Sequence, residues 1–413
     1  MALVPAHLGA QVTEARRRLL DLIADLSDDQ LVVPYLPTIN PVVWEACHAA
    51  YFHEYWVLRK GSGQAPMWPD VDALFDSIKV GHENRWRLPL PDRAKALEYL
   101  TGVRDRVLEL LESGSPDDTV QYWAQYSVYH EDMHTEALTY ARQSLAYAPP
   151  GFDVDRALGE VSEDVSGDVE IPAGTLRMGA EKDVAFCFDN EKWAHDVELE
   201  AFAISRTAVT EGEYAAFVDD RGYDRREFWS PEGWSWRSAL QAEMPLFWRR
   251  ARDGSLECRH FDAWRPVDSG RAVVHVCWYE ADAFARWAGR RLPTEAEWER
   301  AGAGSDRGRA NMDWRGGGPV DVSACPGTDS DVGCRQMMGN VWEWTSTTFA
   351  PYPEFTPDMY EDYSQTTFHT RKILRGGGWA TRSRMLRNTL RNYFQPSRRD
   401  IFAGLRTCAP TAE

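Results

Sequence analysis

The chain has 413 residues, of which 43% are hydrophobic and 27% charged, and its formal net charge is -18. Phosphate recognition needs a basic surface, so this charge excludes nucleic acid as a partner and also disfavours an anionic membrane surface. No apolar run approaches the roughly 20 residues that a transmembrane helix needs. A chain of this length exceeds the usual size of one hydrophobic core, which predicts two domains.

The N-terminus and the cysteines indicate the compartment. The first residues lack a basic segment followed by an apolar one, which is the pattern of a signal peptide, so we expect a cytoplasmic protein. The seven cysteines are widely spaced and form no CxxC motif. This pattern indicates reduced thiols rather than a disulfide framework or a structural zinc site, and it leaves a Cys325–Cys334 pairing as an alternative.

The first 150 residues carry the apolar periodicity of amphipathic helices. Four such segments are predicted, at residues 8–26, 41–59, 93–112 and 118–147. Asn40-Pro41 is a start signal for the second of them. Four apolar stripes predict a four-helix bundle. The loop at residues 61–92 is longer than a bundle requires, and long loops in compact domains are usually functional or disordered.

The pattern changes after residues 151–168, an acidic and weakly apolar segment that we interpret as a linker. Alternation then predicts strands, and two short helices follow. The strands are expected within residues 169–180 and 195–210, and the helices at 210–219 and 278–289. Most of the 18 tryptophans follow residue 225, where large aromatic side chains would hold irregular loops in place. These features predict an α+β domain with much irregular structure.

The sharpest chemical signal is HEDMH at residues 130–134. On a helix, His130 and His134 differ by about 40° and lie one turn apart, so two imidazoles can share a metal. The alternative is a pair of partly exposed helix histidines that bind nothing. The segment also resembles the HExxH motif of zinc hydrolases, in which Glu131 would be the general base. Hydrolytic zinc is therefore an open alternative.

A third nitrogen ligand is available on the predicted helix at residues 41–59. His48 is the stronger candidate there and His53 the weaker one. Three imidazoles on two bundle helices would leave about three open positions on an octahedral ion. Imidazole suits iron, copper, zinc and nickel alike, so the spacing does not choose the metal.

Four short signatures follow in the second half of the chain. They are RLPTEAEWE (291–299), GNVWEWT (339–345), RGGGW (375–379) and GLR (404–406). None of them holds a nucleophile and a base. Gly-rich turns flanked by Trp, with internal Glu and Arg, predict a fold held together by ion pairs and buried indoles.

These motifs together resemble a known pair of domains. The four signatures resemble those of the formylglycine-generating-enzyme fold (sulfatase-modifying factor), a C-type-lectin-like α+β domain, and the bundle with HEDMHTE resembles the DinB-like domain. In this order the pair resembles the ergothioneine sulfoxide synthases, iron enzymes that join a sulfur donor to C2 of the imidazole of hercynine. The resemblance implies a DinB-like four-helix bundle at residues 1–150, a linker at 151–168 and the second domain at 169–413.

The resemblance also implies a metal centre and its chemistry. The family's iron ligands match His48, His130 and His134 by position, so it implies Fe(II) with dioxygen as co-substrate. The open positions would bring hercynine, the donor and dioxygen together. Tyr352 matches the family's loop tyrosine, which implies a role as the acid that protonates bound oxygen. A structural Ca²⁺ near Asn340 is a further hypothesis.

The departures from the family's pattern concern the donor. Members that use γ-glutamylcysteine hold this charged donor with loop arginines and an Asp. Here Arg85 fits one basic position, whereas His82 stands at the other and Phe394 replaces the Asp. The remaining candidate substrate-binding residues are Met133, which stands where those members often have Gln, and Asn392 and Tyr393, which would meet the hercynine carboxylate. Such a pocket suits a less charged donor.

Three stretches favour a particular sub-group. Residues 35–56, 72–92 and 130–138 resemble the selenoneine synthases, which use a selenosugar, 1-seleno-glucose. The resemblance implies C–Se bond formation with hercynine to give selenoneine; C–S bond formation with cysteine or γ-glutamylcysteine is the alternative. A DinB-type metal-dependent thiol transferase or hydrolase would explain the histidines alone, and a lectin-like binding module would leave them unexplained. Formylglycine generation is disfavoured, because it needs a late cysteine pair and only Cys408 lies there.

Overall fold

The computed structural model describes residues 5–113, 117–161 and 163–411, with side chains from residue 7. The chain forms two compact units, Met1–Gly151 and Phe152–Glu413. The first is helical and DinB-like, and the second is a C-type-lectin-like α+β domain, as the predicted fold class requires. Among the described residues, no helix combines the length and the apolarity that crossing a membrane requires.

The first unit is a bundle of four main helices. In chain order its helices are α1 (Pro5–Ile23), α2 (Asp28–Val32), α3 (Val42–His53), α4 (Val71–Phe75), α5 (Arg93–Glu112) and α6 (Asp118–Ser144). Helices α1 and α3 both pack against α5 and α6. Asp92 and Asp117 cap α5 and α6 by accepting hydrogen bonds from Lys95 and Val120 backbone amides. Most of the apolar side chains that predicted four helices are buried between them.

Helix α3 is followed directly by a helical segment with a different hydrogen-bonding pattern. The chain continues as a π-helix, Glu54–Gly61. Its first residue is fully buried, and the Glu54 carboxylate accepts hydrogen bonds from Tyr99 Oη at 2.5 Å and Met67 N at 2.8 Å. The wider i→i+5 turn therefore brings a carboxylate into the bundle, where it fastens the long loop that follows.

The long loop of the first unit is ordered. It contains α4 and a 3₁₀ turn, His82–Arg87. The Phe75 and Trp68 rings lie 5.7 and 4.5 Å from the Tyr99 ring of α5. These aromatic contacts hold the loop against the bundle.

The second unit combines four small sheets with short helices. Its strands are β1 (Asp168–Ile171), β2 (Gly174–Met178), β3 (His195–Leu199), β4 (Phe202–Ser205), β5 (Trp248–Arg250), β6 (Leu256–His260), β7 (Ala263–Pro266), β8 (Trp342–Thr348), β9 (Lys372–Arg375), β10 (Asn392–Phe394) and β11 (Ala403–Leu405). The central sheet has the order β10-β9-β8-β11, in which β8 and β11 are parallel and the other pairs antiparallel. The pairs β1-β4 and β2-β3 and the meander β5-β6-β7 are antiparallel.

The described part of the second unit also contains four α-helices: α7 (Glu211–Asp219), α8 (Pro231–Leu240), α9 (Trp278–Trp287) and α10 (Glu295–Ala301). Helices α7 and α9 were predicted, whereas α8 and α10 were not. Thr210 and Thr294 form capping boxes at α7 and α10 with Glu213 and Glu297.

The acidic segment interpreted as a linker falls in the second unit from Phe152 onward. The Phe152 ring lies 5.4 Å from the Trp314 ring, and Leu158 packs against a buried cluster that includes Val320 and Cys325. The last residue of the segment, Asp168, already lies in β1. These two apolar contacts lie within the segment whose acidic composition predicted a linker.

The signatures of the second half meet in buried ion pairs. Arg375 donates to Glu295 at 2.8 Å and to Glu299 at 2.5 Å. Arg406 pairs with Glu343 at 3.0 Å, and Glu343 also accepts from the indole N–H of Trp298 at 2.7 Å. The structural interpretation of these motifs is confirmed.

All seven cysteines are free and buried. The prediction of reduced thiols is confirmed, and Cys325 and Cys334 do not pair. Burial raises the pKa of Cys47, Cys187 and Cys408 to about 12. These thiols therefore stay protonated at neutral pH.

A buried carboxyl in the second unit makes stability depend on pH. Burial raises the pKa of Asp189 to about 6, although Ser364 Oγ donates a hydrogen bond to it at 2.5 Å. The folded state then keeps, up to about pH 6, a proton that the unfolded state releases near pH 4. The free energy of unfolding therefore falls as the pH rises from about 4 to about 6. We expect Asp189→Asn to remove this fall and to raise the free energy of unfolding at pH 8 by about 2–3 kcal/mol. Urea unfolding at several pH values measures this free energy. The control is Asp183→Asn, because Asp183 is exposed. An unchanged pH profile in Asp189→Asn would contradict the raised pKa of Asp189.

Candidate metal centre

Three histidines converge inside the first unit. His48 lies on α3, and His130 and His134 lie one turn apart on α6, the helix that packs against α3. The His48 ring centroid lies 5.2 Å from that of His130 and 4.8 Å from that of His134, and the latter two are 4.4 Å apart. Among the described residues, no other group of three or more His, Cys, Asp or Glu side chains meets the spacing of a metal site.

Hydrogen bonds fix which nitrogen of His48 is free. Its Nδ1 lies 2.7 Å from the Phe75 carbonyl oxygen, which can only accept, so Nδ1 carries the proton and Nε2 has a lone pair. The end of α4 supplies this acceptor, because the last carbonyls of a helix lack partners within it. The Trp44 indole N–H donates to the preceding carbonyl, of Leu74, at 2.8 Å, and the Trp44 ring stacks on His48 at 4.8 Å. His48 is thus oriented from two sides.

His134 is oriented by a buried carboxylate. Its Nδ1 lies 2.5 Å from Glu45 Oε1. Burial by itself would raise the pKa of Glu45, but its interactions with His134 and Asn40 lower it to about 2, so Glu45 is an acceptor. Nδ1 therefore donates, and Nε2 of His134 is directed away from Glu45 with its lone pair. This is the arrangement of a metal-binding histidine with an outer carboxylate.

His130 completes the group. Its Nε2 lies 3.2 Å from Nε2 of His134, and its ring stacks on Phe52 with centroids 3.8 Å apart. Burial lowers the pKa of His48 to about 3 and that of His130 well below its ordinary value. Both imidazoles are therefore neutral at pH 7, which is the form that binds metals.

The donor set fits a transition-metal ion. The lone pair on His134 Nε2 faces His130 Nε2 at 3.2 Å, so either a proton on His130 or a cation lies between the two nitrogens. Nitrogens held by one ion at roughly 2.0–2.1 Å are at most about 4.2 Å apart. The three ligand atoms lie within 4.8 Å of one another, so the widest separation would have to close by at least about 0.6 Å for all three to hold one ion.

His53, the weaker candidate for the third ligand, and Glu131, the general base of the zinc hydrolase alternative, lie together in a different cluster. Glu131 is fully buried and accepts from Arg16 Nε at 2.7 Å, and its other oxygen lies 2.9 Å from His53 Nε2. A general base for hydrolysis must reach water, and this carboxylate is engaged by two partners. Glu131 therefore does not fit the role that the zinc hydrolase motif would give it, and His53 pairs with Glu131 instead of joining the other three histidines.

The other candidates of the first unit make different contacts. Arg85 lies over the Trp44 ring at 3.8 Å and donates to Asn40 Oδ1 at 2.6 Å. His82 Nε2 lies 3.1 Å from the Leu36 carbonyl oxygen, so it donates there and packs within a cluster of aromatic rings. Met133, between the two histidines of α6, is partly exposed.

Tyr352, a candidate of the second unit, lies against a buried arginine, Arg391. Its guanidinium lies 4.0 Å from the Tyr352 ring centroid. Tyr352 Oη is buried without a hydrogen-bond partner, and burial raises the pKa of Tyr352, which keeps the hydroxyl protonated. Tyr393 stacks on Phe349 at 4.0 Å, and its hydroxyl donates to the Tyr363 carbonyl oxygen.

The two neighbours of Tyr393 in sequence are partly buried. Asn392 accepts a hydrogen bond from the Tyr393 amide at 2.8 Å, and Phe394 lies 5.2 Å from the Arg398 guanidinium. Asn392 and Phe394 are both in β10, which pairs with β9 at the edge of the central sheet. No carboxylate stands at position 394 to meet a cationic donor group.

The amide proposed to bind calcium does not fit that ion. Asn340 Oδ1 accepts from Val320 N at 2.8 Å and from Asn311 Nδ2 at 3.0 Å. A calcium ligand needs its oxygen lone pairs free, and these are directed at N–H donors.

Local sequence patterns did not predict the residues that support the histidines. Glu45, Asn40 and Trp44 all contact the metal centre or its immediate supports. One signal was available, because Glu45 precedes His48 by one helical turn on a helix whose other residues are mostly apolar. A buried acid beside a metal-binding histidine is a common outer partner.

Comparison with known proteins agrees with this architecture. Residues 11–138 match the DinB superfamily, and residues 156–325 and 319–410 match the sulfatase-modifying factor enzyme 1-like domain. The hercynine oxygenase of Mycolicibacterium smegmatis is 36% identical over 428 residues, which cover 97% of this chain and 97% of the relative.

Two further relatives show how far each similarity extends. The hercynine oxygenase of Mycobacterium tuberculosis is 36% identical over 97% of this chain and 98% of its own length. The formylglycine-generating enzyme of Thermomonospora curvata is 34% identical, but over 47% of this chain and 76% of its own. Only the hercynine oxygenases among these three align with both units. The chain therefore belongs to the hercynine oxygenase family and is an oxidoreductase.

Proposed function

We propose that this protein is a mononuclear non-haem iron enzyme that forms a C–Se bond between C2 of the imidazole of hercynine and a selenosugar, 1-seleno-glucose. The observation that carries the proposal is the convergence of His48, His130 and His134 in a chain of the hercynine oxygenase family. The product is the selenium-bonded precursor of selenoneine.

The reaction balances with dioxygen alone as oxidant. The hydrogen on C2 of hercynine and the hydrogen of the selenol leave with one oxygen atom as water. The other oxygen atom remains on selenium as a selenoxide, and the new bond joins carbon to selenium. Dioxygen takes up four electrons, two for each of its atoms, so no further reductant is needed.

The residues of the first unit have defined tasks in this proposal. His48, His130 and His134 would hold Fe(II), which when bound supplies the one-electron chemistry through which dioxygen reacts with closed-shell substrates. The Phe75 carbonyl and Glu45 hold two of the imidazoles in the ligand tautomer. These supports keep the ligand geometry ready before substrates arrive.

Tyr352 is the proposed proton donor. Burial holds its pKa above the ordinary value of a phenol, so the hydroxyl carries its proton at neutral pH. Its Oη has no hydrogen-bond partner among the described residues, so no protein group competes for that proton. We assign hercynine carboxylate binding to Asn392 and Tyr393, and contact with the substrates to Met133 and His82, following the family's pattern.

The choice of a neutral donor rests on the contacts of Arg85, which lies in the long loop of the first unit. The Arg85 guanidinium is engaged by Asn40 and by the Val80 carbonyl, and it stacks on Trp44. It is therefore not free to hold the carboxylate of a dipeptide without losing these contacts. The family's pattern assigns the other two donor positions to His82 and Phe394 in this chain. We therefore expect a neutral sugar to bind better than a charged dipeptide.

We expect iron analysis of the purified protein to find about one ion per chain, and air oxidation of hercynine with 1-seleno-glucose to consume oxygen. Mass spectrometry of the product should show the selenium isotope pattern and one added oxygen atom. Hercynine with cysteine or γ-glutamylcysteine is the matched comparison and should react at least about tenfold more slowly.

Three outcomes separate the possibilities. A preference for γ-glutamylcysteine would reject the selenium donor and leave the oxidative C–S alternative. Zinc in place of iron, with no oxygen uptake, would reject the oxidative chemistry. Oxygen uptake that forms no product from either donor would reject bond formation to hercynine.

A further inference from the structure

A chain of hydrogen bonds leads from Arg85 to the metal centre. Arg85 Nη1 donates to Asn40 Oδ1 at 2.6 Å, and Asn40 Nδ2 donates to Glu45 Oε2. The other carboxylate oxygen, Oε1, accepts from His134 Nδ1 at 2.5 Å. We call these four residues the Arg85–His134 chain.

The direction of every hydrogen bond in this chain is determined at its arginine end. A guanidinium can only donate, so the Asn40 oxygen must face Arg85 and the Asn40 amide nitrogen must face Glu45. Glu45, which then receives a hydrogen bond on one oxygen, presents the other as an acceptor to His134. His134 consequently keeps its proton on Nδ1 and its lone pair on Nε2, towards His130.

The chain is held in place at each step. Asn40 immediately precedes Pro41, which caps α3, and Glu45 lies in the first turn of that helix and is 6% exposed. Arg85 has a second link to the same centre, because it lies over the Trp44 ring and Trp44 stacks on His48. Arg85 thus supports two of the three histidines without contacting either.

We propose that Arg85, Asn40 and Glu45 are positioning residues that lock His134 in its metal-binding tautomer. The proposal rests on the metal centre of the proposed function. It assigns Arg85 a task inside the protein, in agreement with the contacts that engage its guanidinium. Outer hydrogen-bond partners of metal-binding histidines typically change metal affinity about 10–100-fold.

Reversing the polarity of the chain gives a sharp test. Asn40→Asp keeps an oxygen for Arg85 but places a second carboxylate against Glu45, so the donor to Glu45 is lost. In the double variant Asn40→Asp with Glu45→Gln, the new amide donates to the new carboxylate and its oxygen still accepts from His134. The hydrogen bonds are restored with donor and acceptor exchanged between positions 40 and 45.

The measurement uses the full-length, metal-free protein and Co(II) as the probe, with visible absorption and chelator competition as readouts. We expect Asn40→Asp to weaken Co(II) binding about 10–100-fold and the double variant to recover most of that loss. Arg85→Met should weaken binding as well, whereas Arg87→Met, an exposed arginine two residues on, should not. Thermal unfolding of the metal-free variants shows whether they fold, and Arg85→Met keeps the test available if Asn40→Asp does not.

The outcomes separate this proposal from the proposed function. If the wild-type protein binds no Co(II), the metal centre itself is contradicted. If it binds Co(II) and both Asn40→Asp and Arg85→Met bind equally well, only the positioning role is overturned. A double variant no better than Asn40→Asp alone would also overturn it, since restored polarity would then have no effect.

Discussion

Replacing His134 by Ala is expected to abolish both metal binding and product formation. Loss of an outer partner of a metal-binding histidine already costs about 10–100-fold in affinity, so loss of the ligand itself should cost at least about 100-fold. The ring has no structural task that the fold depends on, because its side chain is 18% exposed and its contacts lie within the proposed site. Iron analysis, Co(II) titration and product assays measure the effect, and circular dichroism should show unchanged helix content.

His7→Ala is the matched control for this variant. His7 is an exposed histidine on a helix of the same unit, and its side chain contacts Gln11. We expect it to retain metal and activity. Wild-type metal content in His134→Ala would remove this residue from the ligand set and leave too few imidazoles for the proposed centre.

Replacing Arg16 by Met is expected to produce the largest loss of stability. Arg16 is 1% exposed and makes two hydrogen bonds to Glu131, which is fully buried. Burial by itself would raise the pKa of Glu131, but Arg16 and His53 lower it to about 2, so the carboxylate stays charged. Removing one partner of a buried ion pair typically costs about 3–5 kcal/mol, because the other charge is left without compensation.

Denaturant unfolding of the metal-free protein measures this cost. Arg17→Met is the control, since Arg17 is the next residue and its side chain is 57% exposed with a surface pair to Asp21. It should cost no more than about 1 kcal/mol. Equal effects of the two substitutions would show that the Arg16–Glu131 pair does not stabilise the bundle.

The sequence predicted the bundle well and its details poorly. Helix α5 begins and ends where its apolar stripe does, at Arg93 and Glu112. The π-helix after His53 was not predictable, because periodicity does not distinguish an i→i+5 turn from an α-helical one. Helix α10 was missed because it is only seven residues long, although its Thr294–Glu297 capping box could have shown where it starts.

The site was predictable where spacing along one helix carries the information. The pair at positions 130 and 134 follows from helical geometry, whereas the approach of His48 depends on packing between α3 and α6. The supports of the site come from further away still. The Phe75 carbonyl and Arg85 reach the centre from a long loop whose conformation no local pattern determines.

The seven buried thiols bear on side reactions between cysteine and the selenium donor of the proposed function. A selenol and dioxygen together generate electrophilic selenium species, which cysteine thiolates attack by exchange. Here every cysteine is inaccessible, and burial raises the pKa of Cys47, Cys258 and Cys408 to about 12, so thiolate is scarce at neutral pH. Under the proposed function, the cysteines therefore offer little thiolate that could divert the chalcogen of the donor.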